Sequence, residues 1–237
     1  MRQLAAALAF LALSGASLAA AAAPPARRAL AGATQRPPVV HFVYLVSADR
    51  EVREDFRAAI AAAARDVQAF YARQLGGRTF RLADPVVQVV RSDRPAAWFY
   101  SHDSGRDKPL WGFDNGLAEA ARLAGAGHDQ PDAAWIVYSD GPGNDGRGGA
   151  GVAVLPEDDL LGLVGEHPTQ KEPRRWVYGL AHELGHALGL AHPADMDAAP
   201  RAIMGRGFYD CFVGTDRCEL TAEDRATLAK SRFIAPR

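Results

Sequence analysis

Cysteine is scarce in this sequence, with only Cys211 and Cys218 among 237 residues. Two thiols alone make a poor zinc site, so a thiolate metal centre is the weaker reading of that pair. Charge of one sign is missing too. Lys and Arg total 27 against 28 Asp and Glu, which leaves no basic field to hold nucleic acid or an anionic membrane. Internal repeats are absent, and beyond residue 23 no apolar run is long enough to span a bilayer. What is present is ordinary core material: 48% of the residues are hydrophobic, in a length that fits one medium domain or two small lobes. A disordered bulk is excluded, because that much apolar surface offsets chain entropy.

The first 23 residues are of another kind. Met1-Arg2 gives a positive start, Leu4 to Leu13 is uncharged and apolar, and Ser17 to Ala23 offers small residues for cleavage. That is the order of a secretory signal peptide. Leu4 to Ala23 is also about long enough for an uncleaved anchor, but the alanine content and the small-residue tail favour cleavage. No cysteine follows this run, so a lipoprotein anchor is excluded. The expected product is secreted or periplasmic and free of the membrane. In an oxidising compartment Cys211 and Cys218 would close a small disulfide loop. Residues 24–38, with four prolines and no periodicity, read as a linker or short pro-segment. The folded domain is expected over 39–237, as a monomer.

Along that domain, Val39 to Val46 reads as a buried strand, with Ser47 or Asp49 placed to cap the helix that follows. Apolar residues from Ala58 to Leu75 recur at helical spacing, and Gly76-Gly77 stops them. Thr79 to Leu82 and Val86 to Val90 read as strand pieces joined by Asp84-Pro85. Asp114 to Leu123 reads as a helix, and Ala133 to Tyr138 as a second buried strand. The glycine-rich stretch from Asp140 to Gly151 precedes strand-like Val152 to Leu155. A helix opens at Glu172-Pro173 and runs to about Gly189, and the last one starts with a capping-box pattern at Thr221.

The chemistry is concentrated in the helix that ends near Gly189. His182 and His186 are four apart, so both imidazoles leave one helix face about one turn apart, the span that two ligands of one zinc ion need. Glu183 is displaced around the helix, where its carboxylate reaches a water rather than the metal. Gly189 can take a positive φ and turn the chain, so that His192 becomes a third nitrogen ligand. Three protein ligands leave one position open, as in catalytic rather than structural zinc sites. The alternative, that these histidines only pack or cap the helix, must explain three of seven histidines within eleven positions.

The pattern His182-Glu183-x-x-His186-x-x-Gly189-x-x-His192 resembles that of the metzincin zinc peptidases. Ile203-Met204-Gly205 looks like their Met-turn, with Met204 beneath the metal; ordinary core packing is the other reading of Met204, and Met196 is a rival flanked by Asp195 and Asp197. The resemblance implies an α+β fold: a twisted mixed β-sheet, an active-site helix and a small C-terminal subdomain ending in a helix. It implies that Val152 to Leu155 is an unpaired edge strand along which a protein or peptide substrate binds. Departures exist. Pro193 is similar to the serralysin branch, yet no calcium repeats follow. Arg206 stands where that branch and the astacins have a tyrosine, leaving Tyr209 as either an oxyanion donor or a core residue. The closest likeness is to uncharacterised secreted bacterial metzincin-like proteins.

The function these readings imply is a secreted zinc-dependent endopeptidase, with one catalytic Zn²⁺ on His182, His186 and His192 and Glu183 as general base. Two alternatives stand beside it: a non-catalytic exported binding module, and a zinc amidase acting on cell-wall peptides. Asp140, Asn144 and Asp145 could hold Ca²⁺, although most such loops are solvated turns. His41, His102, His128 and His167 show no mutual spacing and read as surface or packed residues. Phe99, Tyr100 and Trp111 read as core or as a substrate wall.

Overall fold

The computed structural model describes residues 38–143, 145–213 and 217–234. The expected signal segment and all but the last residue of the expected linker lie outside these residues, as does Asn144 of the glycine-rich loop. Among the described residues no helix is long and apolar enough to cross a membrane.

The elements follow from the hydrophobic pattern. β1 (Val39–Val46) and β3 (Ala133–Ser139) are almost wholly apolar, and they take the positions that are covered on both faces. β2 (Arg81–Arg91) and β5 (Val152–Leu155) flank them, and the short β4 (Arg147–Gly149) closes the sheet in the order β2-β1-β3-β5-β4. All pairs are parallel except β4 with β5. The cis Asp84-Pro85 bond lies inside β2, so the two expected strand pieces form one strand, with a register shift opposite Val40 and Phe42.

Parallel neighbours need crossovers, and helices supply them. α1 (Glu54–Gln74) joins β1 to β2, and α2 (Trp98–Ser101) and α3 (Trp111–Ala124) lie between β2 and β3. The capping expected of Ser47 and Asp49 is not found. Arg53 precedes α1 without a side-chain cap, while Ser47 donates from its backbone and hydroxyl to Asp140, and Asp49 accepts from the Ala96 amide at 2.7 Å. α4 (Glu157–Leu163), α5 (Pro173–Ala187) and α6 (Ala222–Leu228) complete the chain. The capping box at α6 is present, formed by Thr221 and Asp224.

Strand alternation sorts the sheet into two cores. Val40, Phe42, Tyr44, Ile136, Tyr138 and Leu155 face the larger core with α1, α4, α5 and α6. Val43, Leu45, Trp135, Val137 and Val154 face the smaller one, with Phe99 and Ala120. Helices therefore cover both faces of a five-stranded mixed sheet. In the larger core the Tyr71 hydroxyl, fully buried on α1, donates to the Ala181 carbonyl at 2.9 Å and ties α1 to the middle of α5. Cys211 and Cys218 form a disulfide with Cα atoms 4.9 Å apart.

One expectation is corrected by the sheet. Val152 to Leu155 is not an unpaired edge: it is buried between β3 and β4. Ala150 and Gly151, at φ 49° and 84°, make a two-residue turn with both central residues left-handed. That geometry folds the glycine-rich segment back as the outer strand. The edge is Arg147–Gly149, which three residues rich in glycine did not announce as a strand.

Candidate metal centre

α5 is built to carry side chains into a cleft. Glu172 caps it by accepting from the Arg174 amide at 3.2 Å, and Pro173 occupies a first-turn position where its missing N–H costs nothing. At the other end Gly189 adopts φ 102°. The Leu190 amide returns to the Gly185 carbonyl at 2.9 Å and the Gly189 amide to the His186 carbonyl at 3.1 Å, a Schellman closure. The chain turns there and brings His192 back over the helix.

The three imidazoles converge. Nε2 of His182 lies 3.0 Å from that of His186 and 3.1 Å from that of His192, and the last two are 2.9 Å apart. Two of the rings are fixed from behind. His182 Nδ1 donates to the Ile203 carbonyl at 2.7 Å and His186 Nδ1 to the Leu190 carbonyl at 2.9 Å. A proton held on Nδ1 leaves the Nε2 lone pair free, so these bonds aim two lone pairs at one point, as carbonyl partners do for metal-binding histidines. Burial pushes His182 down to about 4 and lowers His186, which keeps both rings neutral and ligand-competent at neutral pH. A cation about 2.0–2.1 Å from each nitrogen, the zinc–imidazole distance, fits a triangle of this size. Among the described residues this is the one group of three or more metal-ligating side chains.

Met204 is 1% exposed. A Cβ built on Gly185 would stand 2.6 Å from its sulfur, so the thioether lies flush against α5 between the two histidine turns. The next residue back, Ile203, supplies the carbonyl that fixes His182. Met196 instead lines the cleft, and its backbone carbonyl accepts from the Arg206 amide at 3.1 Å. Met204→Ala is expected to destabilise the fold by about 2–5 kcal/mol, the range for truncating a buried methionine. Denaturant unfolding would measure it, and a loss below that range would mean the thioether is not packed as described.

The cleft holds about 390 Å³ and is lined by His182, His192 and Glu183 together with Asp145, Arg147, Asp159, Arg175, Phe208 and Tyr209. Burial pushes the Glu183 carboxyl up to about 7; Arg147 and Arg175 oppose the rise and Asp145 adds to it. Tyr209 is 55% exposed, so it is not a core residue; its ring lies 4.0 Å from that of Phe208 on the cleft rim. Sequence reasoning missed Arg147, Asp159 and Arg175. Asp159 follows Glu157 and Asp158 in the first turn of α4, where acidic residues are common, so nothing marked it as the one turned inward.

Asp159 has a measurable signature. Burial, reinforced by Glu183, raises its carboxyl from 3.8 to about 8, against the pull of Arg175. A folded-state value above the unfolded one means that its contribution to stability is complete below the unfolded value and is lost as pH rises through the folded one. Wild-type protein is therefore expected to lose melting temperature relative to Asp159→Asn between about pH 4 and 8. A constant difference across that window, in paired thermal melts, would refute the assignment.

The remaining candidates are not gathered. His41, His102 and His167 lie against Trp135, Trp98 and Trp176, with centroids 4.3, 4.6 and 4.7 Å apart, as packed histidines do. His128 is 6.3 Å from the Phe113 ring. Phe99 is core, whereas Trp111 donates to the Arg106 carbonyl. Asp140 is committed to Ser47 and Asp145 faces the cleft beside the three histidines, so these two expected calcium ligands are not brought into a common site.

No family model matches the chain, and no curated protein matches it. Solved structures do. OgpA from Akkermansia muciniphila, in catalytically inactive form with an O-glycopeptide substrate (glycodrosocin), matches with a TM-score of 0.56 at 21% identity, over 84% of this chain and 62% of that one. Wild-type OgpA matches with a TM-score of 0.56 at 22% identity, over 92% and 67%. The chain thus spans less than two thirds of OgpA in the complex. At this identity the likeness is one of fold. Archaemetzincin from Methanopyrus kandleri is a looser neighbour, with a TM-score of 0.39 at 19% identity over 80% and 93%.

Proposed function

We propose that this chain is an exported zinc-dependent endopeptidase of the metzincin kind. The observation that carries the reading is the convergence of three histidine Nε2 atoms within hydrogen-bonding distance of one another, with Glu183 in the same cleft. His182, His186 and His192 hold the ion. Zinc bound there supplies Lewis acidity, which lowers the pKa of water and polarises a carbonyl.

The chain's own residues do the rest. The Glu183 carboxylate takes a proton from the attacking water and returns it to the leaving amine. Its partial burial raises its basicity, which suits a group that must accept and then release that proton. Tyr209, on the rim, donates its hydroxyl to the oxygen that gains charge at the cleaved carbonyl. Met204 is the residue of the Met-turn and keeps a flat sulfur floor under the ligands. The substrate peptide lies along Arg147–Gly149, adding a strand to the sheet edge that borders the cleft. A peptide substrate is in keeping with the glycopeptide held by OgpA.

The test is cleavage of a mixed peptide library by purified protein, with zinc and after chelation. Internal cuts that vanish on chelation and return with zinc are expected. A folded, zinc-loaded protein that cuts neither this library nor denatured protein would overturn the reading; cuts confined to peptidoglycan fragments would replace it with the amidase.

A further inference from the structure

The wall of the cleft holds a carboxyl and a guanidinium, of Asp159 and Arg175, that make no hydrogen bond to other side chains among the described residues. Asp159, on α4, is 5% exposed, yet among the described residues its carboxyl makes no hydrogen bond. Arg175, on the first turns of α5, makes no ion pair and no side-chain hydrogen bond there either. Its guanidinium is stacked instead, 4.7 Å from the ring centres of both Phe208 and Tyr209. Both groups point at the same spot. A Cβ built on Gly179 would be 2.9 Å from Arg175 Nη1 and 3.9 Å from Asp159 Oδ1. Gly179 is one helical turn before Glu183, so the spot is on the cleft face of α5 next to the proposed base.

Their polar atoms are left to water in the cleft, and a fold that keeps two such groups unpaired by protein atoms has a reason to do so. A donor fork and a carboxyl side by side at the wall of an open cleft have an evident one: their partner arrives with the substrate. An apolar side chain placed there would leave both unsatisfied. Both signs of charge already line the cleft, Arg147 and Arg175 against Asp145, Asp159 and Glu183, so a charged side chain of either sign meets its like there. What fits is a neutral group that accepts from the guanidinium and exchanges a hydrogen bond with the carboxyl.

We infer that Asp159 and Arg175 form a specificity pocket for a neutral, hydrogen-bonding group on the substrate, one that both donates and accepts. Two sources carry that chemistry: the carboxamide of glutamine or asparagine, and the hydroxyls of a sugar linked to serine or threonine. The inference rests on the peptidase reading for its substrate.

The experiment uses blocked octapeptides identical except at one central residue, which is Gln, Leu, Lys, Glu, Ser, or Ser bearing one O-linked hexosamine. Cleavage is read with wild type, and binding is read by calorimetry with zinc-loaded Glu183→Gln. The Gln or the glycosylated peptide is expected to exceed the Leu peptide by at least about tenfold in both readouts, because a site built for hydrogen bonds rejects an analogue that lacks them. Whichever of the two dominates identifies the source. Asp159→Leu combined with Arg175→Met should reverse the order in favour of Leu. If that double variant does not fold, Arg175→Lys carries the test, since losing the planar fork should remove most of the margin while keeping the charge. Tightest binding of the Leu, Lys or Glu peptide, or an unchanged order and margin in the variants, overturns the inference. Cleavage without preference sinks the pocket and leaves the peptidase; preferential binding without cleavage does the reverse, and absence of both sinks both.

Discussion

Glu183→Ala is expected to lower peptide cleavage by roughly 10²–10⁴-fold, the usual contribution of a positioned general base, while zinc content stays at the wild-type level. The reasoning is geometric. The proposed ligand atoms are the three Nε2 atoms, which lie within 3.1 Å of one another. Removing Glu183 therefore takes away the proton acceptor without touching the ligand set. The side chain also lies under Gly146, whose built Cβ would be 3.2 Å from Glu183 Cγ, so truncation opens a little space beside the loop but leaves α5 intact. Metal analysis and cleavage rates on one preparation separate the two effects. Full activity in the variant would remove Glu183 from the chemistry, and loss of zinc would make it a ligand.

The second large effect is expected at His192. Its ring is exposed and stands on the loop beyond Gly189, whereas His182 is buried and His186 half-buried on the helix. His192→Ala should therefore spare the fold of the metal-free protein and act on the ion alone. Zinc affinity should fall by more than the ~10–100-fold that loss of an outer hydrogen-bond partner costs, because a direct ligand is removed. The rise in melting temperature that zinc gives wild type should shrink accordingly, since a ligand stabilises only in proportion to its binding. Competition against a chelator of known affinity measures the first and thermal melts the second. Unchanged zinc affinity would mean that the convergence of the three rings does not reflect a metal site.

The sequence disclosed the helix-borne part of this site and little of what surrounds it. His182, His186, Gly189 and His192 were legible because helical spacing and a left-handed glycine translate directly into positions in space. β1 and β3 were legible for a related reason: strands buried on both faces are apolar throughout. β4 was not, because Arg147, Gly148 and Gly149 have low strand propensity and become a strand only by pairing with β5. Misreading that segment as loop is what moved the expected edge to Val152 to Leu155. Asp159 and Arg175 stayed hidden because nothing in the order of residues says which of several charged side chains will face inward. The sulfur of Met204 was legible only through its likeness to a known turn; its contact with Gly185 was not.

Gly148 sits where the edge strand and α5 come closest to each other. A Cβ on this residue would overlap the Glu183 carbonyl oxygen, and the Gly151 amide donates to the Ala187 carbonyl at 3.1 Å. The β4–β5 hairpin thus meets α5 at two points, a close backbone approach at Gly148 and a hydrogen bond at Gly151. A peptide seated on β4 would load the histidine-bearing helix directly, so that the width of the opening is gauged by one absent methyl group. Any residue larger than glycine at this position would act as a wedge, prising the strand and the helix apart at the level of Glu183.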